Sequence, residues 1–191
     1  MSLSIAIRGW FSKSVSNEQL MQQYARDRQR QLLAQLYENC GDDLYHFLLT
    51  LSDPAKAEDI AQQVWLKVIE KSHLYQPNGQ FKSWLFTIGR RLLLDELRRD
   101  AKLTSQSFSD AESADINIDR TDELVLFNQL LNSLPFAQKE AFCLQQEGFS
   151  LEEIAAITHC SRETVKSRLR YAKQKLCQHM TDTTDFGDSD G

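Results

Sequence analysis

The stretch GFSLEEIAAITHCSRETVKSRLRYAKQKL, residues 148–176, decides how the chain is read. Ser150 precedes an apolar-periodic run and Glu153 follows three residues later, the spacing of a capping box at a helix N-terminus. The short helix that starts there buries Ile154, Ala155 and Ile157. Thr158-His159-Cys160 makes a turn, and Ser161 caps a second helix with Val165, Leu169 and Ala172 on its apolar stripe. Two helices joined by a turn of this length, with small Ala155 where they cross, form a helix-turn-helix. The turn often takes a residue with positive φ, and His159 holds that place.

The second helix is strongly basic. Between Arg162 and Lys175 six Lys or Arg stand against one acid, Glu163, in a chain whose net charge is −5. A recognition helix presents its N-terminal residues to the major groove, here Arg162, Glu163, Thr164, Lys166, Ser167 and Arg168, with Arg170 further along. Arg offers two parallel donors to guanine, Lys and Ser reach phosphates or bases, and Glu can accept from cytosine. A solvated basic face on an ordinary last helix would explain the charge. It would not explain the capped helix-turn-helix around it.

Outward from this module, almost every informative stretch has helical period. In residues 17–52 apolar side chains recur three or four apart: Leu20 and Tyr24, then Leu32, Leu33, Leu36 and Tyr37, then Leu44, Phe47, Leu48 and Leu51. Gly41, followed by two Asp, predicts a break into two helices. Ser52 or Asp53 caps the next helix, with Pro54 at its first position and Ala57, Ile60, Ala61, Val64 and Val68 as its stripe. LYQPNGQ, residues 74–80, reads as a loop, and a long helix follows from Phe81 to about Arg99. Periodicity then stops in a Ser/Asp/Ala-rich stretch and resumes near Leu124.

The expected architecture is therefore all-α, two small helical domains joined by a flexible linker, the second containing the helix-turn-helix. We place the first domain at 1–100, an acidic linker at 101–121, the second domain at 122–177 and an acidic tail at 178–191. The acidity lies in two blocks, between and after neutral-to-basic segments: residues 101–133 and 177–191 carry −4 each, while 134–176 carry +2. Seven Gly and three Pro in 191 residues argue against turn-rich barrels and sandwiches. No window is apolar enough for a membrane span, and no secretory signal is recognisable, so a cytoplasmic protein without membrane insertion is expected. Cys40, Cys143, Cys160 and Cys177 are widely spaced without a CxxC pair and are expected to be mostly buried thiols rather than metal ligands.

LPFAQKEAFCLQQEGFSLEEIAAITHCSRETVKSRLRYAKQKL closely resembles the −35-reading domain of bacterial extracytoplasmic-function (ECF) sigma factors. DPAKAEDIAQQVWLKVIEKSHLY followed by FKSWLFTIGRRLLLDELRR resembles their amino-terminal domain, which holds core RNA polymerase and opens the −10 element. Two matched blocks in the family's order and separation, over roughly residues 18–177, are far more specific than one helix-turn-helix. The resemblance implies that Asp59, Gln62, Gln63, Trp65 and Leu66 dock on the polymerase clamp. It implies that the loop 75–80 captures a flipped −10 base and that Phe81, Lys82, Trp84, Arg90, Arg91, Arg98 and Arg99 lie on or beside the helix that meets promoter DNA. Aromatic surfaces for unstacked bases and Arg/Lys for the backbone suit melting. Trp65, Phe81 and Trp84 have a competing reading as core. Arg91 departs from the family's pattern, where many members carry Asn.

The implied partners are core RNA polymerase, promoter DNA and an anti-sigma factor that covers the polymerase-binding surface. A stand-alone operator-binding regulator would account for the helix-turn-helix but leaves residues 53–99 without a role. An enzyme is not supported: GxxxxGK[ST], GxGxxG, HExxH and GxSxG are all missing, and His46, His73, His159 and His179 are scattered. No catalytic residue, metal, cofactor or small-molecule substrate is expected.

Overall fold

The structure is a computed structural model, and it describes residues 15–77, 80–104 and 122–184. All regular structure among the described residues is helical. Helix α1 spans Asn17–Asp27, α2 Arg30–Leu51, α3 Pro54–Lys71 and α4 Phe81–Thr104, with a 3-10 turn at Ser72–Leu74 after α3. In the second half α5 spans Asp122–Asn132, α6 Phe136–Gln146, α7 Leu151–Thr158 and α8 Arg162–Thr184.

Local chemistry sets most of the boundaries. Ser16 and Gln19 form a capping box at α1, and Asp53 caps α3 by accepting from the Lys56 amide at 2.9 Å. The chain turns between α1 and α2 at Arg28, whose φ of 54° is left-handed. Arg28 is held there by donating from Nη1 to the Ile69 carbonyl at 2.8 Å. The helix break thus falls at residues 28–29 and not at Gly41, which lies inside α2. A single glycine costs a helix only about 1 kcal/mol, and the buried stripe Leu36, Cys40, Leu44, Phe47 and Leu51 runs straight through it. Tyr37 does not join that stripe; it is 57% exposed.

Helix α4 runs past the expected domain end to Thr104, and α8 runs past 177 to Thr184. The rest of the acidic linker and tail lies outside the described residues. Of the cysteines, which form no disulfide, Cys40 and Cys143 are buried, Cys160 is half-buried and Cys177 is exposed. Expectation held for the first two only.

The two domains are packed together. Helices α1 to α4 close around Leu36, Leu44, Phe47, Leu48, Val64, Leu85 and Phe86, and that core continues without a gap into Leu144, Phe149, Ile154 and Ile157 of the second domain. Helix α4 lies against α7, and α2 against α6. A smaller cluster of Leu130, Leu131, Leu134, Ala172 and Leu176 ties α5 to α8. The tether expected from the sequence therefore joins domains that touch.

Candidate functional site

The caps and the turn of the helix-turn-helix form as expected. The Ser150 hydroxyl accepts from the Glu153 amide at 3.2 Å, and the Ser150 amide donates to Glu153 Oε2 at 2.9 Å. His159 closes α7 with φ 52° and ψ 45°. Ser161 then caps α8 by accepting from the Thr164 amide at 3.1 Å. Ile154, Ile157, Val165, Leu169 and Ala172 are buried, so the two helices are fixed by packing; Ala155 is half-buried.

The opposite face of α8 is open. Arg162, Glu163, Lys166, Ser167 and Arg170 are exposed, with Thr164 and Arg168 half-buried. Arg162 reaches back to Glu152 at 2.8 Å and Lys166 to Glu163 at 2.9 Å, while Arg168 Nη1 rests 3.6 Å from Cys160 Sγ. Glu163 is held below the ordinary carboxylate range, first by its hydrogen bond from Lys166. It therefore enters any contact as an acceptor. All seven residues assigned to −35 reading fall on one helix, five of them exposed.

On α3, Asp59, Gln62, Gln63 and Leu66 are exposed, Leu66 at 64%. Trp65 is not available in the same way. It is 8% exposed, with its ring 5.2 Å from that of Tyr37. Tyr37 and Ile69 (39% exposed) instead extend the open apolar surface beside Leu66. Tyr37 fits the helical stripe of α2, which predicts a core position; the signal that points outward is its offset of one residue from buried Leu36.

The residues assigned to the −10 element divide into two groups. Phe81 is 1% exposed and Trp84 is half-buried. They form an aromatic cluster with Tyr75, whose ring lies 5.0 Å from Trp84 and 6.0 Å from Phe81. Tyr75, which was not among the expected site residues although it lies in the quoted loop stretch, is held to α1 by donating to Glu18 Oε2 at 2.6 Å. Burial, then this hydrogen bond, pushes its phenol above the ordinary range. Arg91, Arg98 and Arg99 are exposed, the latter two paired with Asp95 at 2.8 Å and Glu96 at 3.0 Å. Lys82 and Arg90 face the second domain. Lys82 pairs with Asp43 of its own domain at 2.7 Å and donates to the Glu147 carbonyl of the second at 2.8 Å, and Arg90 binds Glu140 at 2.6 Å.

No group of three or more His, Cys, Asp or Glu among the described residues could hold a metal ion. No helix among them is long and apolar enough to cross a membrane.

Comparison with known proteins covers both halves. The family model for Sigma-70 region 2 matches residues 36–103, and that for Sigma-70, region 4 matches residues 124–176. The ECF RNA polymerase sigma factor EcfG of Rhodopseudomonas palustris is 33% identical over 151 residues, spanning 75% of this chain and 83% of that one. The ECF sigma factor RpoE of Cereibacter sphaeroides is 30% identical over 173 residues, spanning 85% and 93%. Among solved structures, the sigma factor RpoE in complex with the anti-sigma factor NepR from Bartonella quintana superposes with a TM-score of 0.71 at 31% identity, covering 78% of this chain and 96% of that chain. CnrH in complex with the cytosolic domain of CnrY shares the fold, with a TM-score of 0.66 at 22% identity over 87% and 97% of the two chains.

Proposed function

The chain belongs to the ECF sigma factors, with regions 2 and 4 of the sigma-70 family, and from that premise we propose how its surfaces divide the work of promoter-specific transcription initiation. The exposed face of α8, with Arg162, Glu163, Thr164, Lys166, Ser167, Arg168 and Arg170, reads the −35 element in the major groove. The exposed patch Asp59, Gln62, Gln63 and Leu66 on α3 docks on core RNA polymerase, with Tyr37 and Ile69 widening its apolar part. Trp65 supports the patch from below. Lys82, Arg90, Arg91, Arg98 and Arg99 hold promoter DNA at the −10 element, and the Tyr75–Phe81–Trp84 cluster shapes the loop that receives an unstacked base.

The observation that carries this reading is the pairing, in one chain, of an open basic recognition helix with a separate open polar and apolar helix face. Two modest contacts on one tether act at high effective concentration, so neither needs to be strong alone. The role is non-enzymatic, carried out in the cytoplasm, and needs no cofactor. An anti-sigma factor, as in the Bartonella quintana complex, is the expected regulator. The test is promoter selection with this chain and core polymerase together: specific opening that needs both supports the reading. Equal site-specific binding by the chain alone, without opening, identifies a stand-alone regulator instead.

A further inference from the structure

The stripe of α4 that faces the second domain is Lys82, Ser83, Phe86 and Arg90, successive positions on one side of the helix. Each meets a partner from across the domain boundary. The Phe86 ring stands 4.8 Å from Phe149, edge to face. Ser83 donates to Glu153 Oε1 at 3.1 Å, using the same glutamate that closes the capping box of α7. Lys82 donates to the Glu147 carbonyl at 2.8 Å and lies 5.4 Å over the Phe149 ring. Arg90 grips Glu140 with two donors, Nε at 2.6 Å and Nη2 at 3.3 Å.

Glu140 is the unusual member. Its side chain is 1% exposed, and its partner is the half-buried guanidinium of the other domain. A fully buried carboxylate is costly unless paired, and a guanidinium held by two parallel bonds is the same fork that grips a phosphate. Arg91, Arg98 and Arg99 stay open on other sides of α4. Of the five basic groups assigned to −10 DNA, the packing therefore takes up Arg90 and adds a second-domain partner to Lys82, which also pairs with Asp43 of its own domain, and it leaves three.

We propose that Glu140 occupies the place of a promoter phosphate on Arg90, so that in the absence of polymerase the second domain inhibits the first by contact. The inference rests on the reading of α4 as the DNA-facing helix. Arg90 has two alternative anionic partners, the Glu140 carboxylate when the domains are packed and DNA when they part. Promoter engagement requires the domains to separate, and the energy of parting them must come from polymerase and DNA together. The unpartnered chain is thereby kept from coating DNA through its basic groups.

The test uses the full chain without polymerase and a labelled mixed-sequence single-stranded oligonucleotide at low salt, with small-angle scattering on the same samples. Glu140→Gln removes the carboxylate charge. Ser83→Glu sets a second acid against Glu153 from the first domain and leaves Glu140 intact, so it serves even if Glu140→Gln unfolds α6. Both should expand the scattering envelope and tighten oligonucleotide binding about tenfold, as when a competent form rises from roughly a tenth of the population to nearly all of it. Ser83→Glu should do so although it adds negative charge. The gain should vanish in Arg90→Gln/Glu140→Gln. Unchanged compactness in both variants overturns the proposal, and so does expansion without tighter binding. Failure of the sigma-factor reading would show elsewhere, as loss of polymerase-dependent promoter opening by the unaltered chain.

Discussion

Arg90 of α4 and Glu140 of α6, fifty residues apart, form a two-pronged ion pair in which the carboxylate is almost fully enclosed. Removing one partner of such a pair leaves the other buried and uncompensated, a cost that the double variant does not carry. Arg90→Ala and Glu140→Ala should each destabilise the protein more than half as much as the double variant does. A double-mutant cycle by urea unfolding should give a coupling of about 1–3 kcal/mol; strict additivity would show that the pair contributes nothing of its own.

The recognition helix makes a graded prediction. Arg162→Ala and Arg168→Ala should each weaken binding to the selected −35 site by about 1–3 kcal/mol and relax preference at one base. Lys166→Ala should weaken all sequences alike and reduce the slope of log affinity against log salt by about 1. Fluorescence anisotropy of the polymerase-bound chain across a salt series separates the two patterns.

Leu66 is 64% exposed, so Leu66→Asp should leave the fold intact, within about 0.5 kcal/mol. It should nonetheless abolish co-elution with core polymerase. Normal co-elution with unchanged helicity would move the docking surface off α3.

Glu147 gives the interface a pH dependence. Burial raises its carboxyl above the ordinary value of 4.5, Asp43 of α2 adds to the effect, and Lys82 of α4 and His46 of α2 oppose it. A raised acid binds its proton more tightly in the folded state. Its stabilising contribution is complete below pH 4.5 and is lost as pH rises through the raised value. The urea midpoint of the unaltered chain should therefore fall more across that window than that of Glu147→Gln. Parallel curves would mean that Glu147 is not strained by its surroundings.

Local rules carried the helix-turn-helix, because caps and turns are specified by residues three or four apart: Ser150 with Glu153, and His159 at the tight turn. The same rules misplaced the break in α2, where Gly41 and its two acids resemble a boundary but tertiary packing of Leu44 and Phe47 holds the helix through it. Amphipathic faces were legible, yet not which apolar residue at their edge stays open; the Tyr37 and Trp65 rings meet at a tilt, and only one of them is buried. Contact between the domains was not legible at all. Glu140 sits in a sequence that looks like the solvated side of a helix, and nothing local announces an arginine fifty positions earlier.

Promoter opening on a library of DNA fragments, with core RNA polymerase present and absent, tests the proposed role most directly. The expected result is site-specific binding and strand opening only when the polymerase is present, with fragments sharing a −35 and a −10 element. Binding of one short site equally well by the chain alone, with no opening under either condition, would contradict it.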